Sequence, residues 1–542
     1  MNNITYKRVS TIWVVFFLVL GFLQFWGSRF EITSDYLAYA DISDAYLQGD
    51  WKYGLNSSWP PLFSFLLTIP IGLANTPESE AVYCHLLQYI LFITYLGCIW
   101  LIIPELWMRA TGGNLKKELP NWKSTCFISL SWLISVLGLL SFHPIVLLTQ
   151  DMVQAPIIFF VLYVLVYIKN RQLTMLSVFL LSLVLALGFY AKSIFLFLFP
   201  FVCIAALLFE KISWRSKVQY ASIMSLVFIA LISPYVIAIS IQQQRLTFGD
   251  SGTINYGYSV SKVFSEFPHE SALTDENLFI TPNEYPYHYA YWVDRVLPSP
   301  PSKNIYKASE HLNSLLDNLA PFLADLKLVP VLLLILTCIF CWRKESFQKD
   351  LSLVMPAVII ICMYISIYVY SRYTQPWIIW ISLILLTRVF QKPEKRIFNF
   401  SVQKISVATL STVLMLMLVK RVMFDLTIEP DYMLTEYDIS RKVRATTAKN
   451  LCVIQQKGDY KHPGNNFWVR YTQCKIRAFY APGALAFLNL MSDEKKNIYR
   501  KLLKEGIDTV VFIDPPKISN EWKHIGKNNY EYYLYPINRE IL

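Results

Sequence analysis

Asp35, Asp41, Asp44 and Asp50 crowd the segment 34–51, SDYLAYADISDAYLQGDW, and WPPL follows at 59–62. The segment comes directly after the first long apolar block. Carboxylates beside a bilayer are costly unless they stay wet or bind something. Asp35 opens the run, with Tyr36, Tyr39 and Ala40 following at roughly helical spacing. One reading makes Ser34 or Asp35 the N-cap of a helix over 36–48. The other makes Asp35 a general base that takes a proton from an acceptor hydroxyl at the membrane surface. Asp41 and Asp44 are expected on a solvated helix face.

Three further charged residues stand at the ends of apolar blocks. Asp151, in LLTQDMVQAP, either caps the helix that follows or joins Asp35 in a carboxylate pair. Such a pair could bind a divalent cation or sugar hydroxyls. Lys192, in GFYAKSIF, either snorkels to the interface or neutralises a lipid phosphate. Arg372, in YSRYTQPW, has the same two readings, and its planar guanidinium beside aromatic rings suits a phosphate. His143, His269 and His288 lack metal-ligand spacing. The chain has no Walker motif, no dinucleotide-binding glycine pattern and no nucleophile elbow. Nucleotide binding is therefore not indicated, and an activated donor would have to arrive in another form.

The elements that position these residues are membrane helices. Only 16% of the 542 residues are charged, and 55% are hydrophobic. A soluble chain would carry about 25% charged residues. The mean hydropathy of +0.39 reflects apolar blocks near 11–28, 81–103, 124–142, 152–168, 173–190, 193–210, 217–241, 320–341, 350–370, 375–391 and 403–420. That makes about eleven spans in an all-α polytopic domain. Alternate connectors are short and basic. They carry Lys7 and Arg8, then Arg109, Lys116, Lys117 and Lys123, then Lys169 and Arg171. Lys211, Arg215 and Lys217 follow, then Arg343, Lys344 and Lys349, then Arg388, Lys392, Lys395, Arg396 and Lys404. The positive-inside rule makes that side cytoplasmic. Loops 29–80 and 242–319, Asp151, Lys192, Arg372 and the C-terminal part then lie outside. The net charge of +11 belongs to this pattern and does not point to nucleic acid.

The expected domains are 1–423, the membrane part, and 424–542, a small extracytoplasmic α/β domain. Helical spacing marks 431–447 and 492–506, and strand-like runs mark 450–456, 509–514 and 530–537. Segment 60–74 is apolar but bracketed by Pro60, Pro61 and Pro70, which predicts an interfacial or re-entrant helix. Loop 242–319 is long enough to be a lid or a substrate-binding segment. Cys452 and Cys474 form the only cysteine pair in the polar part and could be bridged in an oxidising compartment. The bulky stretch Trp26 to Phe30 lacks a small-residue cleavage site, so the first block reads as a retained helix.

The run SDYLAYADISDAYLQGDW followed by WPPLF resembles the first external loop of GT-C-fold membrane glycosyltransferases. That superfamily includes protein mannosyltransferases and lipid A aminoarabinose transferases. Asp35, Tyr39, Ala40, Gly49, Asp50, Pro60, Pro61 and Leu62 carry the resemblance. LLTQDMVQAP, LALGFYAKSIFLFLFP and YSRYTQPWIIW fit further family segments in the same order, so the similarity covers about residues 10–420. It implies inverting transfer of a sugar from a polyprenyl-phosphate carrier to a lipid, glycan or protein hydroxyl on the non-cytoplasmic face. The loop aspartate, Asp35, would be the catalytic base, in what reads as a bacterial inner membrane. No cofactor is required, though a divalent metal is allowed. The aminoarabinose transferases place a phosphate-binding lysine just before the proline pair, where this chain has Trp59. Donor phosphate contacts would then fall to Lys192 and Arg372, with Asp151, Tyr39 and Trp59 as further substrate-binding candidates. Two rival readings stay open. A flippase of lipid-linked saccharides would show internal repeats and broken mid-membrane helices. An O-antigen ligase or polymerase would use a large late loop such as 242–319.

Overall fold

The computed structural model describes residues 3–111, 121–141, 145–208, 210, 212–261, 274–275, 277–280, 308–325, 344–391, 396–397, 400–427, 431–446, 449–455, 469–472, 474–480, 483–513, 515, 522–527 and 531–537. They form two compact units. One comprises Met1–Trp26, Gln88–Val260 and Tyr306–Ile428, the other Gly27–Leu87, Ser261–Ile305 and Glu429–Leu542.

The first unit is helical. Every expected apolar segment coincides with a helix except 320–341, most of which lies outside the described residues. Among the described residues six helices are long and apolar enough to cross a membrane. They are Thr5–Gly27, Pro77–Ala110, Trp122–Leu140, Asp151–Asn170, Trp214–Gln242 and Asp350–Ile367. Met175–Ala191 and Ile194–Leu207 are apolar but shorter. Ser371–Gln391 and Val402–Thr427 fill the last two expected positions. Among the described residues the finding is therefore a helical domain with six candidate crossings, in which ten of the eleven expected segments are helices.

Polar side chains tie the helices together inside this unit. Arg109 and Arg388 both pair with Asp350, the first through a 2.8 Å bond from Nε, joining three helices near their basic ends. All three side chains are no more than about a tenth exposed. Two guanidiniums on one carboxylate offset its desolvation far better than a single partner would. Tyr95 donates to the Ser135 carbonyl at 2.9 Å, and Trp380 Nε1 donates to the Leu353 carbonyl at 2.8 Å.

The second unit holds a six-stranded sheet. Its order is Leu278–Ile280, Lys475–Tyr480, Asn450–Gln455, Thr509–Ile513, Glu531–Pro536, Lys523–Lys527. Asn450–Gln455 pairs in parallel with both neighbours, and the outer pairings are antiparallel. The helix Ser492–Lys504 buries Ile498 and Leu502, four residues apart and so on one face, against Ile454, Val510 and Phe512. The expected helices 431–447 and 492–506 appear as Asp431–Arg444 and Ser492–Lys504. The three expected strands appear within a residue or two of their sequence bounds. Leu278–Ile280, Lys475–Tyr480 and Lys523–Lys527 were not anticipated. Each is short or rich in charge, so its apolar alternation is weak. Cys452 and Cys474 are buried and no disulfide joins them, so the possible bridge is not formed.

The proline-bracketed segment is a helix, Pro61–Leu73, with Pro61 in its first turn, where a missing N–H costs nothing. It packs on the helix Ser34–Leu47. Ser43 Oγ makes this contact specific by donating to the Ser64 carbonyl at 2.7 Å.

Candidate functional site

The sequence candidates fall into two clusters, one in each unit. In the helical unit Asp151 begins the helix Asp151–Asn170. The segment before it is held by Gln88, whose Nε2 donates to the Thr149 carbonyl at 2.9 Å. Thr149 Oγ1 then donates to Asp151 Oδ2 at 3.0 Å, and Gln154 Nε2 donates to Oδ1 at 3.1 Å. Asp151 makes no side-chain cap, and the N-cap position falls on Gln150. Its carboxylate, 2% exposed, instead faces two cations. Lys192 Nζ donates to Oδ1 at 3.2 Å, and Arg372 Nε lies 3.6 Å from Oδ2.

Lys192 reaches this point because the chain breaks helix at it. It sits extended between Met175–Ala191 and Ile194–Leu207, with its N–H on the Gly188 carbonyl at 2.7 Å. Gly188 is required there, since an added Cβ would lie 2.6 Å from Cγ of the Phe195 ring. Arg372 stands in the first turn of Ser371–Gln391. Tyrosines line the pair. Lys192 Nζ lies 3.6 Å from the centre of the Tyr373 ring, and that ring stacks on Tyr364 at 5.3 Å. Arg372 lies beside the rings of Tyr370 and Tyr373 and donates to the Tyr373 hydroxyl at 3.2 Å. The Tyr364 hydroxyl is buried with no hydrogen-bond partner among the described residues. A buried orphan hydroxyl on a ring beside Lys192 costs stability unless a ligand satisfies it.

The second cluster surrounds the acidic run. Asp35 lies half-buried in the first turn of Ser34–Leu47. The helix is capped by Thr33, whose side chain accepts from the Tyr36 N–H, so the N-cap position falls on Thr33. Tyr39 is buried, and its ring meets Trp59 and Phe63 edge to face at 4.8 and 4.9 Å. Trp59 Nε1 is buried without a hydrogen-bond partner among the described residues.

Asp41 and Asp44 are not on a solvated face. Asp41 is 1% exposed. Both face Arg470, from the distant C-terminal segment, at 3.8 and 2.6 Å. Arg470 Nε also donates to Glu80 Oε1 at 2.6 Å, and Tyr36 donates to the same oxygen at 2.6 Å. Burial raises the Asp44 carboxyl above its ordinary range, and Arg470 opposes that rise. Glu31 is lifted to about 7 by burial.

The sequence reading named Asp151, Lys192 and Arg372 separately and expected Asp151 to cap its helix or pair with Asp35; their meeting at one carboxylate is a finding of the structure. Asp35 and Asp151 belong to different units. Arg470, Glu80, Tyr364 and Tyr373 are additions. Only the aromatic density around YVYSRYTQPW hinted at the tyrosines. His143, His269 and His288 and most of loop 242–319 lie outside the described residues. Among the described residues no group of three or more His, Cys, Asp and Glu side chains forms a metal-holding cluster.

No family model and no curated protein matches this sequence. Solved structures do. ArnT from Cupriavidus metallidurans bound to undecaprenyl phosphate aligns over 97% of this chain and 98% of its own, at TM-score 0.55 and 11% identity. The Archaeoglobus fulgidus oligosaccharyltransferase in the apo form aligns over 94% and 70%, at TM-score 0.51 and 12% identity. At such identities the likeness shows the fold, and that fold is GT-C.

Proposed function

We propose that this chain is an integral-membrane glycosyltransferase. It would move a sugar from a polyprenyl-phosphate carrier to an acceptor hydroxyl on the non-cytoplasmic face. The observation that carries the reading is the convergence of Lys192 and Arg372, beside stacked tyrosines, on one buried carboxylate. Two charge-assisted donors side by side suit a phosphate oxygen pair. The same fold in ArnT was solved with undecaprenyl phosphate bound, which supports this reading.

In this account Lys192 and Arg372 hold the donor phosphate. Asp35 takes the acceptor proton as the acceptor oxygen attacks the sugar's anomeric carbon from the opposite face. The carbon–oxygen bond to phosphate breaks, its electron pair leaves with the carrier, and the sugar is inverted. Trp59 Nε1 and Tyr39 supply contacts to sugar or acceptor hydroxyls. The donor arrives activated, so no nucleotide or redox cofactor is required, and a divalent cation is compatible. About eleven crossings would place loops 29–80 and 242–319 and the C-terminal α/β domain outside, in a bacterial inner membrane.

The experiment is a donor titration of inserted Lys192→Gln and Arg372→Gln proteins in proteoliposomes. Each loses a charge-assisted contact of about 1.5–3 kcal/mol, so the donor KM rises roughly tenfold or more. Unchanged donor dependence in both variants would leave Lys192 and Arg372 as structural counter-ions of Asp151.

A further inference from the structure

Asp151 presents a problem that phosphate binding alone does not solve. A carboxylate that faces both phosphate-holding cations competes with the ligand for them. It is also held firmly. Thr149 and Gln154 both donate to it, it is 2% exposed, and it stands at a helix N-terminus whose dipole favours an anion. Nothing in this arrangement lets the side chain swing away at no cost. A ligand phosphate must therefore bind with the Asp151 carboxylate close by.

The chemistry of the transfer gives that nearby charge a use. A sugar linked through a polyprenyl phosphate is a phosphodiester with one negative charge. When the carbon–oxygen bond breaks, the carrier leaves as a phosphomonoester, which carries close to two charges above its second pKa of about 6. Substrate and product therefore differ by one charge at the atoms that Lys192 and Arg372 would hold. A fixed carboxylate beside them penalises the product more than the substrate.

We propose that Asp151 tunes the Lys192–Arg372 site to the charge of its ligand, favouring a singly charged phosphodiester and helping to expel the doubly charged phosphomonoester. The inference rests on the reading that these two cations hold the donor phosphate. It assigns Asp151 a positioning and charge-selecting role and gives it no part in bond making. Whatever else faces the two cations, removing the Asp151 carboxylate raises the local charge by one unit. At separations of 4–6 Å and intermediate effective dielectric, one unit acting on one extra ligand charge is worth a factor of roughly ten or more.

The test compares two probes that share an alkyl chain, dodecyl phosphate and dodecyl methyl phosphate, so that apolar burial cancels. Binding to the full-length purified protein is measured at about pH 8, where only the first is doubly charged. Asp151→Asn should shift the monoester-to-diester affinity ratio toward the monoester by roughly tenfold. Asp151→Glu, which keeps the charge, should keep the wild-type ratio. A second pair guards against misfolding of the single variant. Lys192→Met should shift the ratio toward the diester, and the Lys192→Met/Asp151→Asn double variant should bring it back.

An unchanged ratio in Asp151→Asn, or no return in the double variant, would overturn the inference even if both affinities fall together. The underlying reading fails separately. In that case Lys192→Gln and Arg372→Gln would leave the affinities for both probes at the wild-type level.

Discussion

Arg470 Nη1 and Asp44 Oδ2 lie 2.6 Å apart although 426 residues separate them in the chain. The same guanidinium reaches Glu80 at 2.6 Å and Asp41 at 3.8 Å, with its side chain only 12% exposed. One arginine from the C-terminal segment thus faces three carboxylates around the helix that carries Asp35. Asp41 and Asp44 are part of the framework that sets that helix in place.

Removing the guanidinium strands buried carboxylates. Arg470→Gln should destabilise the protein by about 3–5 kcal/mol, the cost of breaking a buried pair from one side. Arg470→Lys should rescue only part of this, because an ammonium cannot match the planar fork that meets Asp44 and Glu80 together. Thermal unfolding in detergent reads both. An Arg470→Gln melting curve superimposable on wild type would show that the network contributes nothing to stability.

Sequence and structure agree most closely where apolar length or periodicity is strong. Ten of the eleven apolar segments as helices, the proline-bracketed helix and the strand 509–514 could be read because burial there follows from local pattern. The pairing of Lys192 and Arg372 was suggested by charge where the surrounding sequence is apolar. Arg470 was not readable. VRYT looks like any polar segment, and its partners lie some four hundred residues earlier in the chain. Asp41 and Asp44 were misread for the same reason, since helical spacing shows a face but not what covers it. Thr33 displaced Ser34 and Asp35 as cap by one or two positions, within the usual uncertainty of a helix boundary.

Glu31 provides a pH signature. Its carboxyl is raised by burial from 4.5 to about 7. The folded state therefore holds this proton more tightly than the unfolded chain does. The resulting stability is fully present below about 4.5 and is lost as pH rises through about 7. Melting temperatures measured between these limits should fall more steeply for wild type than for Glu31→Gln, which cannot ionise. Parallel profiles for the two proteins would refute the assignment.

Gly188 lies in the last turn of the helix that leads into Lys192, and its carbonyl accepts the Lys192 N–H. A Cβ there would press on the face of Phe195, with Cγ only 2.6 Å away, and an aromatic ring packed at 0% exposure has little room to retreat. Gly188→Ala should destabilise by about 1–3 kcal/mol and weaken donor use by displacing Lys192. Gly97→Ala serves as the control, since a Cβ there meets nothing within 4 Å. The comparison is overturned if the two substitutions behave alike.

The central claim is that this chain consumes a polyprenyl-phosphate-linked sugar with Asp35 as base. Asp35→Asn removes the carboxylate without touching the Thr33 cap, so the helix should persist while the rate falls roughly 100-fold or more. The most direct measurement is mass spectrometry of lipid extracts and envelope glycans from cells whose only copy is Asp35→Asn. It should be paired with a check that the protein is inserted and folded. The account predicts that one polyprenyl-phosphate-sugar species accumulates and that one glycosylated product disappears. An unchanged lipid-linked pool together with unchanged glycans, in cells carrying well-folded Asp35→Asn protein, would contradict it.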